Sequence, residues 1–308
     1  RAPQDAHLSD YTDEGYTVIP ADNGTTVDKE KLAAVVTNAV STLEDDLDLD
    51  ASGVYENAAV ATDDKNLNEL AENLNRCVNS KITFTFGSSV ETLEGSTIKE
   101  WIAVSDDNSV SVDSAKAREY VNSLSRKYDT FGQPRHFRTT AGDEITVTGG
   151  SYGWWTDRPA TAAELTEAIM NGQSGNLDVV YRAAAAQYGD SDIGNSYVEI
   201  NIGAQHLYVY KDGQIVCESD FVSGGLFKGN NTPDGTYPIT YKEQDATLVG
   251  ENYSSDVSYW MPFNGNIGMH DASWRSSFGG HIYYLSGSHG CVNLPVSKAK
   301  EIFGYVEK

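Results

Sequence analysis

The 308-residue chain is poor in cysteine, in basic residues and in long apolar runs, and each shortage excludes something. No window approaches the roughly 18 consecutive apolar residues that a membrane span needs. The longest run of small apolar residues, Ala183 to Ala186, is far too short, so no membrane contact is expected of this segment. Cys77, Cys217 and Cys291 are the three cysteines. They are too few, and odd in number, for a disulfide framework, and they form no CxxC pair. With 22 Lys and Arg against 45 Asp and Glu, the net charge is −23. Such a charge repels phosphate backbones and anionic membranes, which excludes nucleic acid as a natural partner. What the chain does have is 39% hydrophobic residues and 10% aromatics. That is enough apolar material for packed cores, and the length points to two domains. It opens at Arg1-Ala2-Pro3, with neither an initiator Met nor an apolar leader. A signal or anchor is therefore expected upstream.

Acid is unevenly placed. Residues 193 to 308 hold seven basic and twelve acidic residues, net −5, which leaves 15 against 33, net −18, for residues 1 to 192. Small polar residues from Gly189 to Gly194 break the helical and strand patterns and mark the expected boundary. Before it, helices are expected over Asp28 to Leu43, Asp64 to Asn79, Ser114 to Tyr128 and Thr161 to Asn171. Strands are expected at Ile82 to Phe86 and Glu144 to Thr148. In the second helix Leu67, Leu70, Leu74 and Cys77 form one stripe, so Cys77 reads as a core residue. The first part, 1–192, is thus an α+β domain.

After residue 193 the pattern becomes mostly β. Val198, Ile200 and Ile202 alternate, and Asp212-Gly213 supplies a tight hairpin turn. Cys217, on the strand that follows, reads as structural. Thr232-Pro233-Asp234-Gly235-Thr236-Tyr237 is a further turn, and a closing helix runs from Pro295 to Tyr305. A sandwich-like, sheet-rich domain spanning 193–308 is expected.

The chemistry gathers in Gly287-Ser288-His289-Gly290-Cys291-Val292-Asn293. A thiol nucleophile needs a base, and histidine is the usual one. A neighbouring glycine leaves room for a substrate carbonyl, and backbone N–H groups in such a turn face a developing oxyanion. From spacing alone His270, His281 or His289 could be the base, although a lone histidine is more often a surface or hydrogen-bonded core residue. A metal bound by His281, His289 and Cys291 is disfavoured, because the spacing matches no zinc signature. Neither metal nor cofactor is expected.

Ser288 to Asn293, with His270 upstream, Thr232 to Tyr237 before it and Tyr259-Trp260-Met261-Pro262-Phe263 between, resembles the catalytic domain of L,D-transpeptidases of the YkuD type. The part before residue 193 is similar, more loosely, to the peptidoglycan-binding or spacer domain that precedes it in Gram-positive enzymes. Gly15 to Val18 and Trp154-Trp155-Thr156 carry that likeness. The resemblance implies a peptidoglycan acyltransferase. Cysteine attacks a donor tetrapeptide stem, releases D-Ala and forms a thioester, and an acceptor amine on a neighbouring stem completes a 3→3 cross-link. Carried over, Cys291 is the nucleophile, His270 the base, and Ser288 the residue whose main chain orients that histidine. His289 positions the site, and Gly290 with Cys291 supplies oxyanion N–H groups. Trp260, Met261, Tyr283 and Asn293 are expected at the substrate, Asn293 as a support without a chemical role. Phe263, Trp274 and Tyr284 could line the site too, with plain core packing as the alternative. Arg275 pairs either with a stem-peptide carboxylate or with Asp271 four residues earlier. The resemblance also implies acylation by carbapenems, and a cell-wall location outside the cytoplasm of a Gram-positive bacterium.

A papain-like protease has its nucleophile far ahead of its histidine, so the order here excludes it. An L,D-carboxypeptidase, with water in place of the acceptor amine, stays open, as does a wall-binding protein without activity.

Overall fold

A computed structural model describes residues 1–189, 191–250 and 253–307. Asp190, inside the expected boundary segment, lies outside the described residues. The chain divides into two compact units. The first comprises 1–85, 89–123 and 158–179; the second comprises 86–88, 124–157 and 180–308.

In the first unit, the helices Lys29–Thr42 and Lys65–Val78 both begin at an aspartate. Asp28 accepts from the Glu30 and Lys31 amides, and Asp64 from that of Leu67, which satisfies amides that a helix start leaves orphaned. The second of these helices buries Leu74, Cys77 and Val78. Ile82, Phe84, Leu93 and Ile98 are fully buried in the same unit. Burial raises the Cys77 thiol pKa, as befits a core residue. The first helix departs from expectation on its apolar stripe. Only Ala39 is buried, while Val40 is 71% and Leu43 87% exposed. Periodicity defines an apolar face but cannot supply an element to cover it. The fourth expected helix starts earlier, at Arg158, because Pro159 fits the first turn, where no N–H is required.

Among the described residues the second unit carries two small two-stranded sheets, Arg135–Arg138 with Glu144–Val147 and Trp155–Thr156 with Tyr181–Ala183, and two larger ones. Tyr197–Asn201, His206–Lys211 and Gln214–Asp220 form an antiparallel meander. Asp212 and Gly213 both take positive φ, 50° and 79°, as a two-residue hairpin turn requires. The other sheet has the order Glu243–Gly250, Tyr253–Asn264, Ile267–Asp271, Val292–Leu294. Its last pair is parallel. Parallel neighbours require a crossover, and here it is residues 272–291, which include the short helix Ile282–Ser286. One core joins Leu207, Val209 and Cys217 of the first sheet to Met261, Phe263, Met269, Val292 and Leu294 of the second. Ala299 and Ile302 of the closing helix Val296–Tyr305 complete it. Cys217 is buried in it, and burial pushes its thiol pKa up to about 11.

Segment 130–152 is stitched to residues 192–236 within this unit. Arg135, 8% exposed, holds Asp192, 5% exposed, through Nε and Nη2, each at 2.7 Å. Thr140 donates to the buried Glu199 carboxylate, and Gly150 bridges Thr236.

Candidate active site

Strand register places the chemistry. Trp260 pairs with His270, and His270 with Asn293, while Met261, Met269 and Val292 form the next row. Side chains alternate between faces, so Trp260, His270 and Asn293 share one face and Met261 turns into the core. Continuing the parallel register by one pair sets Cys291 beside Gly268, where a Cβ would meet the Trp260 ring at 2.7 Å. Cys291 packs with Trp260, Ala246 and Val257 in a small apolar cluster. His270 is 5.8 Å from Trp260 and 6.0 Å from Trp274, ring to ring.

The turn that carries Cys291 is fixed by its own polar groups. Gly290 has φ +129°, and a Cβ there would meet Ile267 at 3.1 Å, so the position demands glycine. Ser288 Oγ donates to the Cys291 carbonyl at 2.6 Å and accepts from the Gly290 amide at 3.1 Å. Thr232 Oγ1 donates to the Gly290 carbonyl at 2.6 Å and accepts from the Gly224 amide at 3.0 Å. The Ser288 main chain is held on both sides, by Ser223 O and Gly225 N, at 2.9 Å each.

His270 is 4% exposed, and its Nδ1 lies 2.7 Å from the Asp271 carbonyl. A carbonyl only accepts, so Nδ1 carries the proton and Nε2 presents a lone pair. Desolvation lowers the His270 pKa and keeps the ring neutral near pH 7. Burial raises the Cys291 pKa, partly offset by the Gly268 amide. The thiol donates to the Asn266 carbonyl at 3.6 Å. At rest the two groups are therefore a neutral thiol and a neutral imidazole. Asp271 Oδ1 accepts from the Ser258 and Tyr259 amides, both at 2.8 Å, so two successive amides share one carboxylate oxygen.

Two expected roles fall differently. The main chain that holds His270 is that of Asp271, because the Ser288 carbonyl and amide are engaged by Gly225 and Ser223. The Gly290 amide is engaged by Ser288 Oγ, so it does not face an oxyanion in this state. Met261, expected at the substrate, is fully buried in the core. Trp260 is 4% exposed and donates through Nε1 to Tyr241 at 3.1 Å. Both border a cavity of about 180 Å³ that reaches Asn266 and Glu243. Phe263 belongs to the core. Trp274 is 52% exposed, and His289 is exposed on the turn. Tyr283 and Tyr284 pack on each other at 4.6 Å, and His281 stacks on Tyr284. Arg275 forms no ion pair among the described residues, so its pairing with Asp271 is not made. Thr232, which tethers the catalytic turn, stood in the sequence only as part of a turn motif. Its signal was a Thr before Pro-Asp-Gly, which does not name its partner. Among the described residues no three His, Cys, Asp or Glu side chains converge on a metal position.

The chain that carries this buried thiol and neutral histidine is similar to known proteins. Residues 195–308 match the family model for the L,D-transpeptidase catalytic domain. Residues 61–178 match the model described as "Putative peptidoglycan binding domain". A cysteine-to-serine mutant of the Enterococcus faecium L,D-transpeptidase is 34% identical, covering 78% of this chain and 97% of its own, with a TM-score of 0.61. The Ldtfm-avibactam carbamoyl enzyme is 35% identical, covering 79% and 96%, with a TM-score of 0.62. No curated protein matches the chain. The chain belongs to the L,D-transpeptidase family, with a peptidoglycan-binding domain ahead of a mostly stranded catalytic domain.

Proposed function

We propose that the protein forms 3→3 cross-links in peptidoglycan through a thioester on Cys291. The observation that carries this reading is the His270 tautomer, protonated at Nδ1 by its bond to Asp271 and bearing a lone pair at Nε2, on the sheet face that holds Cys291. His270 Nε2 takes the thiol proton as sulfur bonds to the carbonyl of the third stem residue. The C–N bond to the terminal D-Ala breaks, and the proton leaves on its amine. An acceptor amine then attacks the thioester and restores the thiol. Covalent catalysis divides one slow amide exchange into two lower barriers. Ser288 and Gly290 hold the turn, His289 stands at its exposed rim, and Trp260 walls the sulfur from water. Tyr283, on the helix that precedes this turn, is the proposed flank of the substrate.

The functional boundary is proposed near residue 192, with the catalytic domain at 193–308. The peptidoglycan-binding match at 61–178 supports residues 1–192 as a wall-associated part, and hence a location outside the cytoplasm. No helix among the described residues is long and apolar enough to cross a membrane. Tetrapeptide stems incubated with the protein should give cross-linked dimers by mass spectrometry, and Cys291→Ala should give none. Trimmed tripeptides without dimers would instead establish the carboxypeptidase. A carbapenem should add one adduct to the intact protein. An adduct that persists in Cys291→Ala would overturn the assignment.

A further inference from the structure

Buried polar atoms are nearly always hydrogen-bonded, and each exception calls for a reason. Two exceptions flank the catalytic pair. Arg275 Nε and Asn293 Oδ1 are buried without a partner among the described residues. One is a charged donor and the other an acceptor. Asn293 lies beside His270 in the strand register and two residues past Cys291. Arg275 lies five residues beyond His270, close enough for its charge to lower that histidine's pKa, although desolvation is the larger cause. Its guanidinium is half-buried and has no carboxylate partner among the described residues, in a chain with 45 acidic side chains. From 272 to 300 the sequence contains no Asp or Glu, so the crossover is a local basic region in an acidic protein. An unfilled cation and an unfilled carbonyl oxygen, each neighbouring His270, fit a ligand that brings a carboxylate and a peptide N–H.

We propose that Arg275 and Asn293 recognise the carboxyl-terminal end of the donor stem, Arg275 taking the free terminal carboxylate and Asn293 Oδ1 an amide N–H of the same segment. This rests on the transpeptidase reading of Cys291. In a tetrapeptide donor the carboxylate lies one residue past the scissile bond. A further residue would move it by about 3.3–3.6 Å, beyond a hydrogen-bond length from where the tetrapeptide carboxylate sits. Arg275 is thereby a residue that selects stem length.

The test compares a tetrapeptide donor with its carboxy-terminal amide, a near-isosteric neutral ligand. The wild-type protein should favour the acid by about ten- to a hundredfold in kcat/KM, the range of one charge-assisted hydrogen bond. In Arg275→Gln that ratio should fall to near one, and Arg275→Lys should restore part of it. Because the ratio is internal to each variant, partial loss of folded protein does not alter it. Asn293→Leu should raise KM for acid and amide alike and leave the ratio intact. A wild-type ratio near one, or an undiminished ratio in Arg275→Gln, overturns the Arg275 assignment. An unchanged KM in Asn293→Leu overturns the Asn293 half. A wild-type protein whose Cys291 accepts no acyl group from either donor or from a carbapenem overturns the transpeptidase reading instead.

Discussion

Thr232→Val removes one hydroxyl and keeps the shape of the side chain, and the structure sets its cost. The hydroxyl bridges the Gly224 amide and the Gly290 carbonyl, and Thr232 itself is 7% exposed. Valine leaves both backbone groups buried and unpaired, at about 1–3 kcal/mol each, so about 2–6 kcal/mol in all. For a cooperative unit of this size, about 1 kcal/mol corresponds to a shift of about 2–4 °C in melting temperature, and the loss should read as roughly 4–24 °C by calorimetry. Function should fall further than the residual fold requires. Gly290 precedes Cys291, and a misplacement of about 1 Å can reduce the rate by about a hundredfold. The rate of Cys291 acylation by a carbapenem, followed by intact mass below the melting point, measures this second effect. Thr232→Ser retains the hydroxyl and should stay near wild type in both assays. A Thr232→Val protein with unchanged melting and acylation would refute the reasoning.

Three further outcomes are expected. Gly290→Ala forces a side chain into a φ of +129° against Ile267; strain of about 1–3 kcal/mol should slow acylation at least tenfold, and an unchanged rate would show that the turn relaxes freely. His270 is held below its ordinary pKa of 6.5, first by burial, and only its neutral form accepts the thiol proton. The acid limb of the acylation rate should therefore have its midpoint below pH 6.5, and a midpoint above that would contradict a neutral resting ring. Asp192 is pushed up by burial, but Arg135 and Thr130 outweigh this and hold its carboxyl below the usual range. A lowered folded pKa contributes stability above the unfolded value of about 3.9 that is lost as pH falls through the folded one. Asp192→Asn should cost about 3–5 kcal/mol at neutral pH by leaving Arg135 buried and unpaired, and should flatten the acid side of the stability profile measured by urea titration.

What could be read from the sequence were features encoded by neighbours in the chain. Asp28 and Asp64 announced helix starts because a cap bonds amides two or three residues on. Asp212-Gly213 announced its hairpin because the turn needs two positive φ angles, which that pair tolerates. Ser288 to Asn293 marked the chemistry because a nucleophile in a tight turn needs those residue types together. Relations across the chain were hidden. Trp260 and Met261 are adjacent in sequence, yet one sheet face separates them, and only the register with His270 and Met269 decides which faces the sulfur. Ser288 was expected to hold His270 through its main chain, but Ser223 and Gly225 engage that main chain and the Asp271 carbonyl meets Nδ1 instead. The apolar stripe of the first helix was visible, but whether anything covered it was not.

A buried neutral pair also bears on why such a site would transfer rather than hydrolyse. A preformed thiolate would be stabilised by water, and water at the sulfur would compete for the thioester. Cys291 at 8% exposure, packed on Trp260, with its proton parked on the Asn266 carbonyl, avoids both. In the proposed reaction the charge develops only when a donor carbonyl arrives and His270 takes the proton, so the ionised state and the exclusion of water coincide. Burial that raises the thiol pKa and lowers that of the histidine opposes ion-pair formation in the resting protein. It also leaves the Nε2 lone pair available when the substrate closes the site. An acceptor amine that enters along the substrate's own contacts then meets a thioester to which bulk water has little access.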